Sequence, residues 1–239
     1  MIIDAFNNAW FIMFGVLLLV LVTLILLCKG KSNNFKLKFM IYYYIFLVVF
    51  YIVYKWYLII PVSPYETTIW EELPFGLCHV TAFLGLPAIL SKNRTLLGFS
   101  FFVGTCCSLM AIVMPTVGFA DIPLLSGESI GYYGFHMLLI IQSLLIYINE
   151  FYNPEVKDAP KIAGFLGLAA LIAHGINYLL RSTVGVETNH FFTYNPMGNP
   201  VLELLRKYID INYVYLLPLL IPIALLLVLL SLVLHKKNL

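Results

Sequence analysis

Residues 10–28 read WFIMFGVLLLVLVTLILLC, nineteen positions without a single charge. A helix needs roughly 20 apolar residues to cross a bilayer, and this run supplies them with no strand-like alternation. Asp4 precedes it and no Lys or Arg does. A signal peptide starts basic, so the run reads as a first span rather than a leader.

The same pattern recurs along the chain. Seven spans are expected, at about Trp10–Cys28, Phe39–Pro61, Gly76–Ser91, Thr95–Pro115, Ser129–Asn149, Ile162–Ser182 and Asn212–His235. The third is short and contains Pro87. Of the 239 residues 62% are hydrophobic and 11% charged, and mean hydropathy is +0.94. That composition excludes a soluble domain. The fold class expected is an all-α membrane protein, one integral domain formed by a seven-helix bundle. A net charge of +2 carries no nucleic-acid footprint. Cys28, Cys78, Cys106 and Cys107 lack paired metal-ligand spacing. No phosphate-loop, dinucleotide or zinc motif is present, so no metal and no cofactor are expected. No internal repeat supports an inverted-repeat transporter.

Lys and Arg set the orientation. Lys29, Lys31, Lys36, Lys38, Lys92, Arg94, Lys157, Lys161, Lys236 and Lys237 fall on one side, ten in all, against three on the other, Arg181, Arg206 and Lys207. Lys55 lies within the second span. Acidic residues show the reverse bias, nine against three. The N-terminus is therefore expected outside and the C-terminus in the cytoplasm. In the last outer loop VLELLRKYI, residues 201–209, places Leu202, Leu205 and Ile209 on one helical face, the pattern of a helix lying in the interface.

Most membrane-embedded polar residues fall in the outer half. Cys78 opens the third span in LPFGLCHVTAFL, and His136 opens the fifth in YYGFHMLLIIQ. His174, Asn177, Tyr178 and Arg181 share a face of the sixth. Ionisable groups at this depth usually face a bundle interior or a wet cavity. A thiol beside an imidazole can form a covalent acyl-enzyme. Each residue also has a plain structural reading: Cys78, Cys106 and Cys107 as small packing residues, the histidines as interhelical hydrogen-bonding groups, Lys55 and Arg181 as snorkelling anchors. Glu71 and Glu72 read as a solvated loop pair. Tyr42, Tyr43, Tyr44, Trp56, Tyr57 and Trp70 read as belt aromatics.

The run ELPFGLCHVTAFLGLPAIL, residues 72–90, resembles the LPLHLC-type segment of the YwaF family of bacterial integral membrane proteins. That family is related to the eukaryotic transmembrane protein 164 family. The His136 region, NYLL at 177–180 and the NP-rich loop followed by LELL fit as well. One position departs: Gly76 stands where the pattern has a His two residues before the Cys. The resemblance implies a phospholipid acyltransferase that needs no coenzyme A, in a bacterial plasma membrane. Cys78 would be the nucleophile and His136 the base. Phospholipids and lysolipids would be the partners, with His174, Asn177, Tyr178 and Arg181 lining the substrate site. Two other classes fit the same features: a non-catalytic carrier or binding protein for a small solute or lipid, and an accessory subunit of a membrane complex.

Overall fold

The computed structural model describes residues 2–3, 6–60, 67–115 and 122–235. Asp4, Pro61, Glu66, Asp121, Lys236 and Lys237, which enter the charge count and the span limits above, lie outside the described residues.

The described chain is helical apart from a two-residue ladder pairing Ile2 with Pro123 and Ile3 with Ile122. The helices are α1 Asn8–Cys28, α2 Asn33–Ile59, α3 Leu77–Ser91, α4 Arg94–Val113, α5 Gly127–Ile148, α6 Ala159–Thr183, α7 Pro200–Tyr208 and α8 Val214–Leu234. Six of them are long and apolar enough to cross a membrane. The exception among the apolar ones is α3, whose 15 residues reach about 22 Å. The short α7 is amphipathic, with Leu202 buried and Val201, Leu204 and Tyr208 exposed.

Caps explain where the elements begin. The side chains of Asn7, Ser32, Asn93, Ser126 and Asn199 each accept a backbone N–H in the first turn of α1, α2, α4, α5 and α7. The Ser32 cap starts α2 six residues before the apolar run becomes continuous, so Lys36 and Lys38 lie within the helix.

The centre of the bundle is α5, packed against α2, α3 and α4, while α1 and α8 bury few of their apolar side chains. So much exposed Leu, Val and Ile suits hydrocarbon and not water. Small residues let the backbones approach. At Gly131 of α5 a Cβ would lie 1.9 Å from the Tyr54 ring of α2.

Polar contacts tie each end together. At the basic end Arg94 donates to Asp158 at 2.7 Å and to the Asn153 carbonyl at 3.0 Å, and lies 2.8 Å from Glu155. Lys36 lies 3.9 Å from Glu150. His235 Nδ1 donates to the Pro154 carbonyl at 2.8 Å, which fastens the end of α8 to the α5–α6 connection. At the opposite end the Trp10 indole donates to the Ile112 carbonyl at 3.2 Å, and the Tyr57 hydroxyl to Glu128 at 2.9 Å.

Two expectations change here. Lys55 does not snorkel, and Glu72 is not solvated. They form an ion pair with side chains only 15% and 9% exposed. The rings of Tyr51 and Tyr54 wall in the ammonium, and the segment before α3 folds back over it. Of the tyrosines near the start of α2, only Tyr42 faces outward. Tyr43 donates to the Leu138 carbonyl at 2.8 Å and Tyr44 to the Phe83 carbonyl at 3.1 Å, so both act between helices.

Candidate functional site

The helices α3 and α4 run antiparallel with Thr81 opposite Gly104. A Cβ on Gly104 would lie 3.6 Å from the Thr81 Cβ and 2.4 Å from Ser143 Oγ of α5. One turn toward the opposite end from each of these positions stand Cys78 and Cys107. The Cys78 thiol interacts there with Cys107 and Ser108. Thr81 Oγ1 donates to the Cys78 carbonyl at 2.9 Å and lies 3.9 Å from the Cys107 sulfur. Cys107 itself donates to the Gly104 carbonyl at 3.6 Å. Ser108 is fully buried, and its hydroxyl has no close hydrogen bond.

On α5, Tyr132, His136, Leu139 and Ser143 share one side at helical spacing. Its two ends face α4, because the Tyr132 hydroxyl donates to the Ala111 carbonyl at 3.1 Å and Ser143 meets Gly104. His136 therefore faces α4 between these anchors, at the level of Ser108. The ring is 7% exposed and packs on Tyr132 and Phe135 at 4.5 and 5.3 Å. Its Nδ1 lies 2.7 Å from the Tyr132 carbonyl. A carbonyl can only accept, so Nδ1 carries the proton and Nε2 of the neutral ring is the acceptor. Among the described residues no hydrogen bond joins Cys78 directly to His136.

The adjacent side of α5 faces α3. Gln142 donates to the Ala82 carbonyl at 3.2 Å, and Phe135 meets His79 at 5.6 Å. His79 turns away from the thiol, as its place one residue on requires, and packs on Tyr51 at 4.9 Å. Its Nδ1 is buried without a partner, 2.9 Å from where a Cβ on Gly76 would lie. The room for a side chain at position 76 is thus filled by the His79 ring. The departure from the YwaF pattern leaves an imidazole in that space.

His190 completes a histidine group that sequence reading missed. It lies in the segment after α6, against Phe75 at 5.8 Å, with a buried Nε2 that has no partner. His79 lies within electrostatic range of His136, His190 and Lys55. Nothing in TNHFFTYNP announces this, because only the return of the loop over α3 makes the contact. Burial pushes the His190 ring below its ordinary value, outweighing a hydrogen bond to the Trp70 backbone. The folded chain thus holds the proton of that ring less readily than the unfolded one. Loop stability is expected to be complete above about pH 6.5, the reference value, and to fall as pH drops below it. Hydrogen exchange across residues 184–199 checks this. The wild type should lose protection on acidification, and a His190→Gln variant should lose less.

The α6 residues are not brought to the thiol. They do share a side of α6, but the helix turns a different stripe toward α3. Phe165, Ala169, Ala173 and Ile176 form that stripe, and with Val80, Phe75 and Phe191 they line an apolar groove of about 130 Å³. At 3.6 residues per turn, His174, Asn177 and Arg181 point roughly 80–160° away from it. His174 stacks between Tyr194 and Tyr213 at 4.9 and 5.8 Å. The Asn177 amide accepts the His190 N–H and donates to the His190 carbonyl and to Thr193 Oγ1, each at 2.9 Å. Arg181 donates to the Thr188 carbonyl at 2.9 Å and lies over Tyr194. Tyr178 is 65% exposed. His174, Asn177 and Arg181 together clamp the loop that carries His190. The stripe that lines the groove is apolar.

Cys106 faces outward while Cys107 lies against Cys78, so the two neighbouring cysteines do different things. Among the described residues no group of three His, Cys, Asp or Glu is arranged to hold a metal.

No curated protein and no solved structure gives a significant match to the chain. A family model described as the TMEM164 family does match, over residues 5–233, a range that takes in all eight helices but for the last residue of α8. With the Cys78 and His136 segments inside that match, the chain belongs to the TMEM164 family.

Proposed function

We propose that this protein is a phospholipid acyltransferase that works through an acyl-cysteine intermediate on Cys78. The observation that carries the reading is the Cys78 thiol set against Cys107 and Ser108 between α3 and α4, with the buried His136 on the neighbouring α5, in a chain of this family. His136, with Nδ1 held by the Tyr132 carbonyl, offers Nε2 as the base. The Cys78 sulfur attacks an ester carbonyl of a phospholipid as its proton leaves toward His136. The tetrahedral adduct collapses, the lysolipid alkoxide takes that proton back, and the acyl chain stays on sulfur as a thioester. A second lysolipid hydroxyl then gives its proton to His136 and attacks the thioester, which releases Cys78 and a new phospholipid. Substrate and product both live in the membrane, which suits a site within the bundle.

The test is mass spectrometry of Cys78 after incubation with phospholipid vesicles, beside transfer of a labelled acyl chain to added lysolipid. A Cys78 thioester with transfer is expected. Absence of both, with several lipid pairs, would overturn the reading.

The topology proposed with it has seven crossings, α3 being the short one, with the basic end in the cytoplasm of a bacterium and the thiol in the outer half of its plasma membrane. Arg94 at the α3–α4 turn joins the basic end, and Glu72 before α3 joins the opposite one, which supports counting α3 as a crossing. A cysteine introduced at Ser32 should resist an impermeant thiol reagent added to intact cells. Labelling from outside would reverse the orientation.

A further inference from the structure

We propose that Cys78 and Cys107 are a dithiol that an organic hydroperoxide oxidises to a disulfide, joining α3 to α4. The inference stands whether or not Cys78 carries an acyl group. The two helices run antiparallel, and a Cβ on Gly104 of α4 would lie 3.6 Å from the Thr81 Cβ of α3. The Cβ atoms of a disulfide lie about 3.5–4.5 Å apart, so the backbones already approach at that spacing. Cys78 stands three residues before Thr81, and Cys107 three residues after Gly104. In an antiparallel pair both steps lead the same way, about one turn along, to facing positions. The contacts agree. Thr81 Oγ1 donates to the Cys78 carbonyl at 2.9 Å and lies 3.9 Å from the Cys107 sulfur. The two thiols interact with each other.

Cys28 is buried in α1 and Cys106 faces outward, so neither shares this contact. Cys78 and Cys107 are both half-buried, within reach of a small reagent. They lie in apolar helices, where an uncharged oxidant enters at far lower cost than an ion. A hydroperoxide carried on an oxidised hydrocarbon chain is such an oxidant. A thiol that senses oxidants commonly has a second cysteine beside it to resolve the first product. Cys107 keeps its proton on the Gly104 carbonyl at 3.6 Å, so Cys78 reacts first. Its sulfur attacks the terminal oxygen of the hydroperoxide, and the O–O bond breaks. The alcohol leaves with the thiol proton, and Cys78 becomes a sulfenic acid. The Cys107 sulfur then attacks the Cys78 sulfur, the S–O bond breaks, and the hydroxyl leaves with the Cys107 proton as water. Two thiols are oxidised and one peroxide is reduced to an alcohol and water. The disulfide withdraws Cys78 from the acyl transfer proposed above.

The experiment adds cumene hydroperoxide to the reduced full-length protein in phospholipid vesicles and maps its cysteines by mass spectrometry without reductant. A link between Cys78 and Cys107 of one chain is expected, and dithiothreitol should remove it. Cys106→Ser should keep the link, which tells Cys106 from its neighbour. Cys107→Ser should lose it and leave a sulfenic acid on Cys78 that dimedone traps. Melting of each variant shows that the fold is kept. The wild type needs no substitution, and there free thiols at Cys78 and Cys107 after Cys106 has reacted would overturn the proposal. So would a link through Cys106, a link between two chains, or Cys78 carried on to the sulfinic acid with Cys107 still a thiol. A disulfide in a protein that, reduced, transfers no lipid would leave the dithiol standing and overturn the acyltransferase reading. Transfer without a disulfide would do the reverse.

Discussion

Cys78→Ser is expected to abolish acyl transfer while the bundle melts as the wild type does. The substitution exchanges sulfur for a slightly smaller oxygen at a position already lined by Cys107, Ser108 and the Thr81 hydroxyl. A hydroxyl finds partners there, so packing loses little. The chemistry loses its nucleophile. A free thiol ionises near pH 8.5 and an imidazole base can take its proton, whereas a serine hydroxyl ionises far less readily. Losing one member of a nucleophile–base set costs on the order of 10⁴-fold in turnover, which would take transfer below detection. The measurement is label transfer from phospholipid to lysolipid in vesicles, with a melting curve for each variant. Cys106→Ser should change neither, since that side chain faces outward. Full transfer by a folded Cys78→Ser variant would remove Cys78 from the mechanism.

Arg94→Ala is expected to be the most destabilising single change at the basic end. The Arg94 guanidinium joins the α3–α4 turn to the α5–α6 connection through Asp158, Glu155 and the Asn153 carbonyl. The Asp158 side chain is 3% exposed. Without the arginine it keeps the Tyr152 hydroxyl at 3.0 Å and the Glu155 N–H at 3.2 Å, but no cation. Removing one partner of a buried pair costs about 3–5 kcal/mol, because the remaining charge stays desolvated. The lower end applies here, since Arg94 itself is partly exposed. Adding Asp158→Asn to the Arg94→Ala variant removes the stranded charge and should recover a good part of the loss. Thermal unfolding in detergent checks both. A double variant no more stable than Arg94→Ala would show that packing at this corner, not charge, sets its stability.

The spans were legible because the bilayer leaves the sequence little choice. Hydrocarbon cannot satisfy backbone polar groups, so each crossing must be a continuous apolar helix. Each of the seven expected segments contains a helix, six of them long and apolar enough to cross a membrane, and only α2 starts well before its apolar run, at the Ser32 cap. Cys78 and His136 stood out for the same reason, as rare polar groups at membrane depth. Ser108 did not, because a serine in an apolar helix is unremarkable until its neighbours are known. The partners of the charged and polar groups were also beyond sequence. Lys55 pairs with Glu72 across a loop, and Asn177 clamps the chain that carries His190. The lesson of α6 is similar: helical spacing correctly put His174, Asn177 and Arg181 on one side, but not that this side would hold the loop after α6. Sequence alone determined that this is a helical membrane protein and where its helices run. Tertiary structure decided which polar groups meet, because that depends on the rotation and register of each helix against its neighbours. Close contacts at residues such as Gly104 and Gly131 set both, and no periodicity within one segment encodes them.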